Sequence, residues 1–399
     1  MESTPEFTNE FFKPILENHF RQMIHISNVK VEDMTNSALN FCSKLRRITV
    51  AYHFEKKQEN HEIALVAKCL PDNEFMAQFV TDMGMFDCEI ETYSTVIPKL
   101  LMLNYREKFA PSVYYTSREP KPIIILEDLS SLNYRVLDKR VGLDLEHSLL
   151  AVEKLAYYHA ATAALHMLDS SILPKFHHSP FRRTDRLHDI MSASYEEVVN
   201  VCRNWPELGD YVEKLNRAKP HILLNIYDLQ NLKVNFSVLN RGDFWTANIL
   251  FSYGPDGNLT NVAFVDVQHS TFTSPCFDLH FFLATSLMEE IKCEKVSIVN
   301  RYFETFVMNL RKLRVKIVPT RAEFDEDFRI MGYCGFAASI YGLPFMKASR
   351  TEGASPENFL ADGSKDSFRH HCFNNEVYLK ELFHFLPFYN SLGLFDVRD

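Results

Sequence analysis

The chain has 399 residues, 46% of them hydrophobic and 24% charged, with a formal net charge of −9. That hydrophobic share excludes a disordered chain, the length predicts two lobes, and the acidic balance excludes a broad electrostatic footprint for nucleic acid or an anionic membrane. The opening MESTPEFTNEFF lacks a basic region followed by an apolar stretch, and no later apolar run is long enough to cross a bilayer, so a cytoplasmic protein is expected, with neither nucleic acid nor membrane as partner. The eight cysteines include no Cys-x-x-Cys pair, which argues against a zinc site and for reduced, mostly buried thiols.

In chain order, the first 130 residues mix strand and helix signals. Residues 45–54 are β-branched and partly alternating, and the apolar run 63–67 ends at Lys68, so two paired strands are predicted with Lys68 at the second strand's end. From 73 to 100, Phe75, Phe79, Met83, Phe86, Ile90, Tyr93 and Ile97 recur at helical steps, with Glu89 beside that face. The run Ile123-Ile124-Ile125-Leu126 reads as a buried strand, and the abrupt change at Glu127-Asp128-Leu129 predicts the lobe boundary, with an N-lobe over 1–128 and a C-lobe over 129–399. A long amphipathic helix carrying His159 is predicted over 145–168, and further helices to about 230.

The segment Arg241-Gly242-Asp243-Phe244-Trp245-Thr246-Ala247-Asn248 precedes two β-rich stretches, 249–253 and 261–267, joined by the turn sequence Gly254-Pro255-Asp256-Gly257-Asn258. Antiparallel pairing would return Asp266 to the end of the hairpin at which Asn248 enters. Mg2+ takes one or two hard oxygen ligands together with substrate phosphates, a role that suits Asn248 and Asp266. Asp243 would orient the attacking hydroxyl, as the catalytic-loop Asp of an Asp-x-x-x-x-Asn kinase does. The bland alternative makes Asp243 a turn cap and Asn248 a loop amide. The reaction predicted is ATP-dependent phosphoryl transfer to a small-molecule alcohol, on an α+β, bilobal protein-kinase-like fold with a β-rich N-lobe and a large α-helical C-lobe.

With those residues in view, the chain resembles the insect ecdysteroid kinase-like family, also described as choline-kinase-like or aminoglycoside-phosphotransferase-like. The resemblance rests on 241–248 against His-Gly-Asp-x-Trp-x-x-Asn, on Asp266-Val267-Gln268, on Ser274-Pro275-Cys276-Phe277-Asp278-Leu279, and on upstream stretches around Lys68, Glu89, Glu127 and His159. It implies that Lys68 contacts the ATP phosphates while Glu89 holds its ammonium, and that the backbone of the linker from Leu126 to Leu129, Glu127 and Leu129 included, meets the adenine edge. His159 is expected to bond a catalytic-loop carbonyl, Asp278 to brace that loop through backbone N–H groups, and Trp245 to pack against the lobe core.

Two positions depart from the family pattern. Arg241 replaces the motif histidine, where a longer cation could alter how Asp266 is held, and the phosphate-covering loop expected over 35–43 has no glycine to bring backbone N–H groups close to phosphate. A pseudokinase that binds ligand without turnover therefore stands as the alternative. A protein kinase is disfavoured, because nothing after Asp266 ends in Ala-Pro-Glu. Most aromatics after 277 read as helix-packing core, while the break at 340–345 could line the pocket of a steroid-like or choline-like acceptor.

Overall fold

In the computed structural model the described residues are 6–34, 42–57, 59–103, 108–348, 354–361, 364 and 367–396. The chain divides into two compact units, Met1–Arg135 with Leu250–Gln268, and Val136–Ile249 with His269–Asp399. This differs from the expected boundary between 128 and 129, because the linker does not end the first unit. Leu129 and Tyr134 are buried together with Ala263, and Leu250 and Val265 pack on them. Burying those apolar groups draws the hairpin into the first unit.

In the first unit, helix α1 (Asn9–Phe20) starts on Thr8, whose side chain accepts from Phe11 N–H. Five strands follow, β1 (Ile24–Asp33), β2 (Lys44–Phe54), β3 (His61–Cys69), β4 (Val113–Ser117) and β5 (Ile123–Glu127), in the sheet order β1-β2-β3-β5-β4 with antiparallel pairing throughout. Alternation sends Ile48, Val50, Leu65, Ala67, Ile123 and Ile125 into one core with Phe12 and Leu16 of α1. Lys68 therefore points from the opposite face of the central strand, in register between Leu45 and Ile124.

The helix expected over 73–100 is interrupted twice. It forms α2 (Glu74–Asp82), α3 (Met85–Glu91) and α4 (Ile97–Met102). Gly84, at φ +66°, adopts the left-handed conformation that glycine tolerates and separates α2 from α3. A wide turn over Thr92–Val96, closed by Ile97 N–H on Thr92 O, separates α3 from α4. Pro98, which has no N–H of its own, follows at the start of α4. Met83, Phe86, Ile90, Tyr93 and Ile97 of the predicted face are buried across both breaks, whereas Phe75 at its start is 42% exposed and Val80 is the buried residue of α2.

The hairpin is present, with strands Ile249–Tyr253 and Leu259–Phe264 beside the short strand Tyr134–Val136. Its turn is closed by Gly254 N–H on Asn258 O, and Gly257 sits at φ +81°. The first strand begins one residue after Asn248, which ends a 3-10 turn, and the second ends at Phe264 rather than at 267. Asp266 lies beyond it at φ +62°, a conformation that costs a non-glycine residue about 1 kcal/mol or more and leaves the strand ladder.

The second unit is built on helix α5 (Leu145–Leu168), capped by Asp144 and packed along the helix Lys295–Lys312. Alanines 160, 161, 163 and 164 are all buried on α5 and allow close approach. Helices Asp185–Asn204 and Asp210–Tyr227 fulfil the expectation of helix to about 230. Strand Val238–Asn240 pairs antiparallel with Thr271–Thr273 and is pinned to α5 where Leu239 N–H donates to Thr162 Oγ1 at 3.1 Å.

The break at 340–345 is a wide turn over Ala338–Gly342 followed by Leu343–Met346. Its Tyr341 and Phe345 rings contact one another and Phe181, Phe359 and Phe368. All eight cysteines are free thiols, six of them buried. Among the described residues no helix is long and apolar enough to cross a membrane. With an antiparallel sheet in the first unit and helices dominating the second, the chain is an α+β protein.

Candidate active site

Lys68 is the centre of the polar cluster in the first unit. Its Nζ donates to Glu89 Oε2 at 2.6 Å and to Asp266 Oδ1 at 3.0 Å, and lies 3.5 Å from Gln268 Oε1. The Lys68 and Glu89 side chains are 5% and 1% exposed, so both charges are out of water, whereas Asp266 keeps 23% of its side chain open. Burial alone would favour a neutral lysine, but Asp266 and Glu89 outweigh it and hold the ammonium protonated well above its usual range. Glu89 moves upward, because burial and the Asp266 charge outweigh the pull of Lys68. Three of the expected site residues thus meet at one ammonium. Gln268 joins them without having been singled out, although it stands in the same short motif as Asp266.

Glu127 and Leu129 lie elsewhere in this unit. The Glu127 carboxylate accepts from the Ser112 N–H at 3.0 Å and pairs with Lys108. Those donors outweigh burial and hold it below the ordinary carboxylate range. Leu129 is buried and opens the 3-10 turn Leu129–Leu132, capped by the Asp128 side chain on Ser130 N–H. As the first residue of that turn it has no partner within the turn for its own N–H. The glycine-free phosphate loop expected over 35–43 lies, except for Cys42 and Ser43, outside the described residues.

In the second unit Asp243 and Asn248 meet. Asn248 is buried, and its Nδ2 donates to the Asp243 carbonyl at 3.0 Å and to Asp243 Oδ2 at 3.2 Å. With the amide nitrogen so committed, Oδ1 is the Asn248 atom left for a cation. Asn248 Oδ1 in this unit and the Asp266 carboxylate in the first are each a hard oxygen donor of the kind Mg2+ takes, so the chemistry of each residue fits that ion.

Gly242 has a structural necessity of its own. It sits at φ +81°, and a Cβ there would stand 1.9 Å from the carbonyl oxygen of His269. Only glycine passes. Phe244 is fully buried with its ring centroid 5.4 Å from that of Phe282, and Thr246 N–H donates to Ser286 Oγ. Trp245 remains partly exposed, with the Lys139 ammonium 5.5 Å from its ring centroid, instead of packing wholly into the core.

Asp278 braces this loop as expected, accepting the backbone N–H groups of Arg241 at 2.7 Å and Gly242 at 2.9 Å. His159 does not bond a loop carbonyl. Its Nε2 bonds Asp278 Oδ2 at 3.2 Å, and its Nδ1 bonds Tyr302 Oη at 2.6 Å. A carboxylate outcompetes a carbonyl for a buried N–H because the bond is charge-assisted. Burial lowers the His159 pKa, so the ring is neutral, donating from Nε2 and accepting from the tyrosine hydroxyl. The Arg241 guanidinium is fully buried, 5.8 Å from the Tyr158 ring centroid.

The first unit thus holds a buried lysine paired with a helix glutamate and with an aspartate after the β-hairpin, and the second an Asp-x-x-x-x-Asn turn braced by a distant aspartate. The profile of the ecdysteroid kinase-like family matches residues 37–315, more than half of the sequence. The chain belongs to the ecdysteroid kinase-like family. No curated protein sequence matches this family member significantly. Among solved structures it is similar to an ethanolamine kinase from Plasmodium vivax, at 10% identity and a TM-score of 0.38, over 91% of this chain and 84% of that one. It is also similar to a glucosamine kinase in complex with glucosamine, ADP and inorganic phosphate, at 14% identity and a TM-score of 0.42, over 87% of this chain and 82% of that one.

Proposed function

We propose that this ecdysteroid kinase-like protein is an ATP- and Mg2+-dependent kinase that transfers the γ-phosphoryl group to a hydroxyl of a small, lipophilic alcohol of the ecdysteroid type. The observation that carries the reading is the Lys68 ammonium, buried and shared between Glu89 and Asp266. A lysine held protonated and oriented by two carboxylates is a phosphate-binding cation kept in readiness.

Each unit contributes its own groups. In the first, Lys68 binds the phosphates, Glu89 positions it, and Asp266 supplies a metal ligand. Because the Glu127 side chain is engaged by Lys108 and Ser112, the Glu127 to Leu129 linker serves adenine through its backbone. In the second, Asn248 supplies the other metal ligand, and its amide holds Asp243, which orients the acceptor hydroxyl and receives its proton. Mg2+, when bound, neutralises charge on the transferring phosphate.

The test is incubation with γ-labelled ATP, Mg2+ and separate panels of steroid alcohols and choline-like amino alcohols. Label on a steroid alcohol is expected, with Asp243→Asn retaining an Mg-ATP thermal shift but transferring nothing. A wild-type transfer rate in Asp243→Asn would remove that residue's role. A thermal shift with no product from any acceptor would favour the ligand-binding pseudokinase that the glycine-free loop keeps in view.

A further inference from the structure

Strands β1 and β2 bring together two histidines that the phosphotransferase reading does not use. His25 stands in register opposite His53, in a regular stretch of the ladder between the pairs Ile24–Phe54 and Ile26–Tyr52. Just beyond, Glu55 N–H donates to Met23 O at 3.2 Å and holds the two strands together. Ile24, Ile26 and Tyr52 are buried in the core beneath α1, and Phe54 packs on it. Alternation therefore turns His25 and His53 to the other face of the sheet, the face that carries Lys68. His25 is exposed and His53 half-buried, and among the described residues neither ring makes a hydrogen bond or an ion pair.

The ring centroids are 5.0 Å apart, with the planes inclined at 43°. A metal ion about 2.1 Å from one nitrogen of each imidazole lies about 3.2 Å from each ring centre. Ligand angles from square-planar to tetrahedral then place the centroids about 4.5 to 5.2 Å apart. The observed spacing falls within that range. Among the described residues no group of three His, Cys, Asp or Glu side chains could hold a metal, so water would fill the remaining positions. Glu62, opposite Ala51 in β3, stands on the same face one diagonal step from His53 and adds a favourable negative charge.

We propose that His25 and His53 chelate a borderline transition-metal ion, Zn2+ or Cu2+. Imidazole nitrogen suits these ions, whereas Mg2+ takes oxygen, so the site is chemically distinct from the Asn248 and Asp266 donors. Both strands are fixed by the core before the ion arrives, so little ordering is lost on binding. β1 is an edge strand, paired with β2 alone. An ion shared by the two histidines clips that edge to its neighbour and stabilises the first unit by mass action. With only two protein ligands, the ion is exchangeable. The site stands whether or not the chain transfers phosphate.

Titration of the untagged full-length chain with Cu2+, followed by electron paramagnetic resonance, tests the chelate. Below one equivalent the wild type should show two coordinated imidazole nitrogens. His25→Ala and His53→Ala should each lose one of them and weaken binding on the order of tenfold or more. Hydrogen exchange read by mass spectrometry locates the ion: saturating Zn2+ should slow exchange over 24–26 and 52–54 in the wild type and change neither variant. Wild-type affinity in both variants, or unaltered exchange over those strands, would overturn the proposal and place the ion on other histidines. His25 is exposed, so His25→Ala decides alone if His53→Ala fails to fold.

Discussion

His159 and Asp278 stand 119 residues apart in the chain and bond through Nε2 and Oδ2 at 3.2 Å, both side chains with no exposure at all. That carboxylate also holds two successive N–H groups at the start of the Asp243 loop. Asp278→Ala leaves three buried donors unsatisfied and should cost about 3–5 kcal/mol by urea unfolding. Tyr302→Phe removes one donor to His159 and should cost about 1 kcal/mol. Equal losses in the two variants would contradict a network centred on Asp278.

Lys68 and Glu89 are a buried pair whose members differ in what their loss leaves behind. Lys68→Met strands Glu89 beside Asp266 with no cation and should destabilise by roughly 3–5 kcal/mol while abolishing the Mg-ATP thermal shift. Glu89→Gln keeps the Lys68–Asp266 contact and should cost less, weakening nucleotide binding without ending it. Calorimetric titration with Mg-ATP on both variants checks the order.

Glycines 242 and 257 share a φ of +81° but not their surroundings. An added methyl at 257 meets nothing within 4 Å, so Gly257→Ala pays only the left-handed backbone cost of about 1 kcal/mol. Gly242→Ala adds a collision with the His269 carbonyl and should cost at least ~3 kcal/mol and disrupt the Asp243 loop. Matching unfolding midpoints would mean that the loop can move aside.

Burial pushes His280 from 6.5 down to about 3, even though its ring bonds the Phe328 carbonyl at 2.7 Å. The unfolded chain takes up this proton as pH falls through 6.5 while the folded chain resists it. The stabilising effect is therefore fully present above 6.5 and is lost as pH drops toward 3. Between pH 6.5 and 5 this one group should cost about 2 kcal/mol. His280→Gln should flatten that slope in urea melts at the two pH values, and an unchanged slope would assign the acid sensitivity to other groups.

The strand ending near Lys68, the helix over 145–168, the hairpin turn and the Asp243 to Asn248 segment were legible because each depends on local periodicity or on a motif. The two interruptions of the helix expected over 73–100 were not, because apolar spacing alone does not register a left-handed Gly84 or a turn widened before Pro98. His159 was assigned the wrong partner because several acceptors were equally compatible with its place on a helix.

By itself, then, the sequence determined the residues proposed for phosphoryl transfer, Lys68, Glu89, Asp243, Asn248 and Asp266, together with most of the elements that carry them. Tertiary structure alone decided that Lys68 is shared by Glu89 and Asp266 with Gln268 close by, that the hairpin belongs with the first unit, and that His159 stands between Asp278 and Tyr302. Those contacts join positions 21 to 200 residues apart. Local pattern can say which face is buried, but the partner of a buried charge is chosen by whatever the packed core brings within hydrogen-bonding distance.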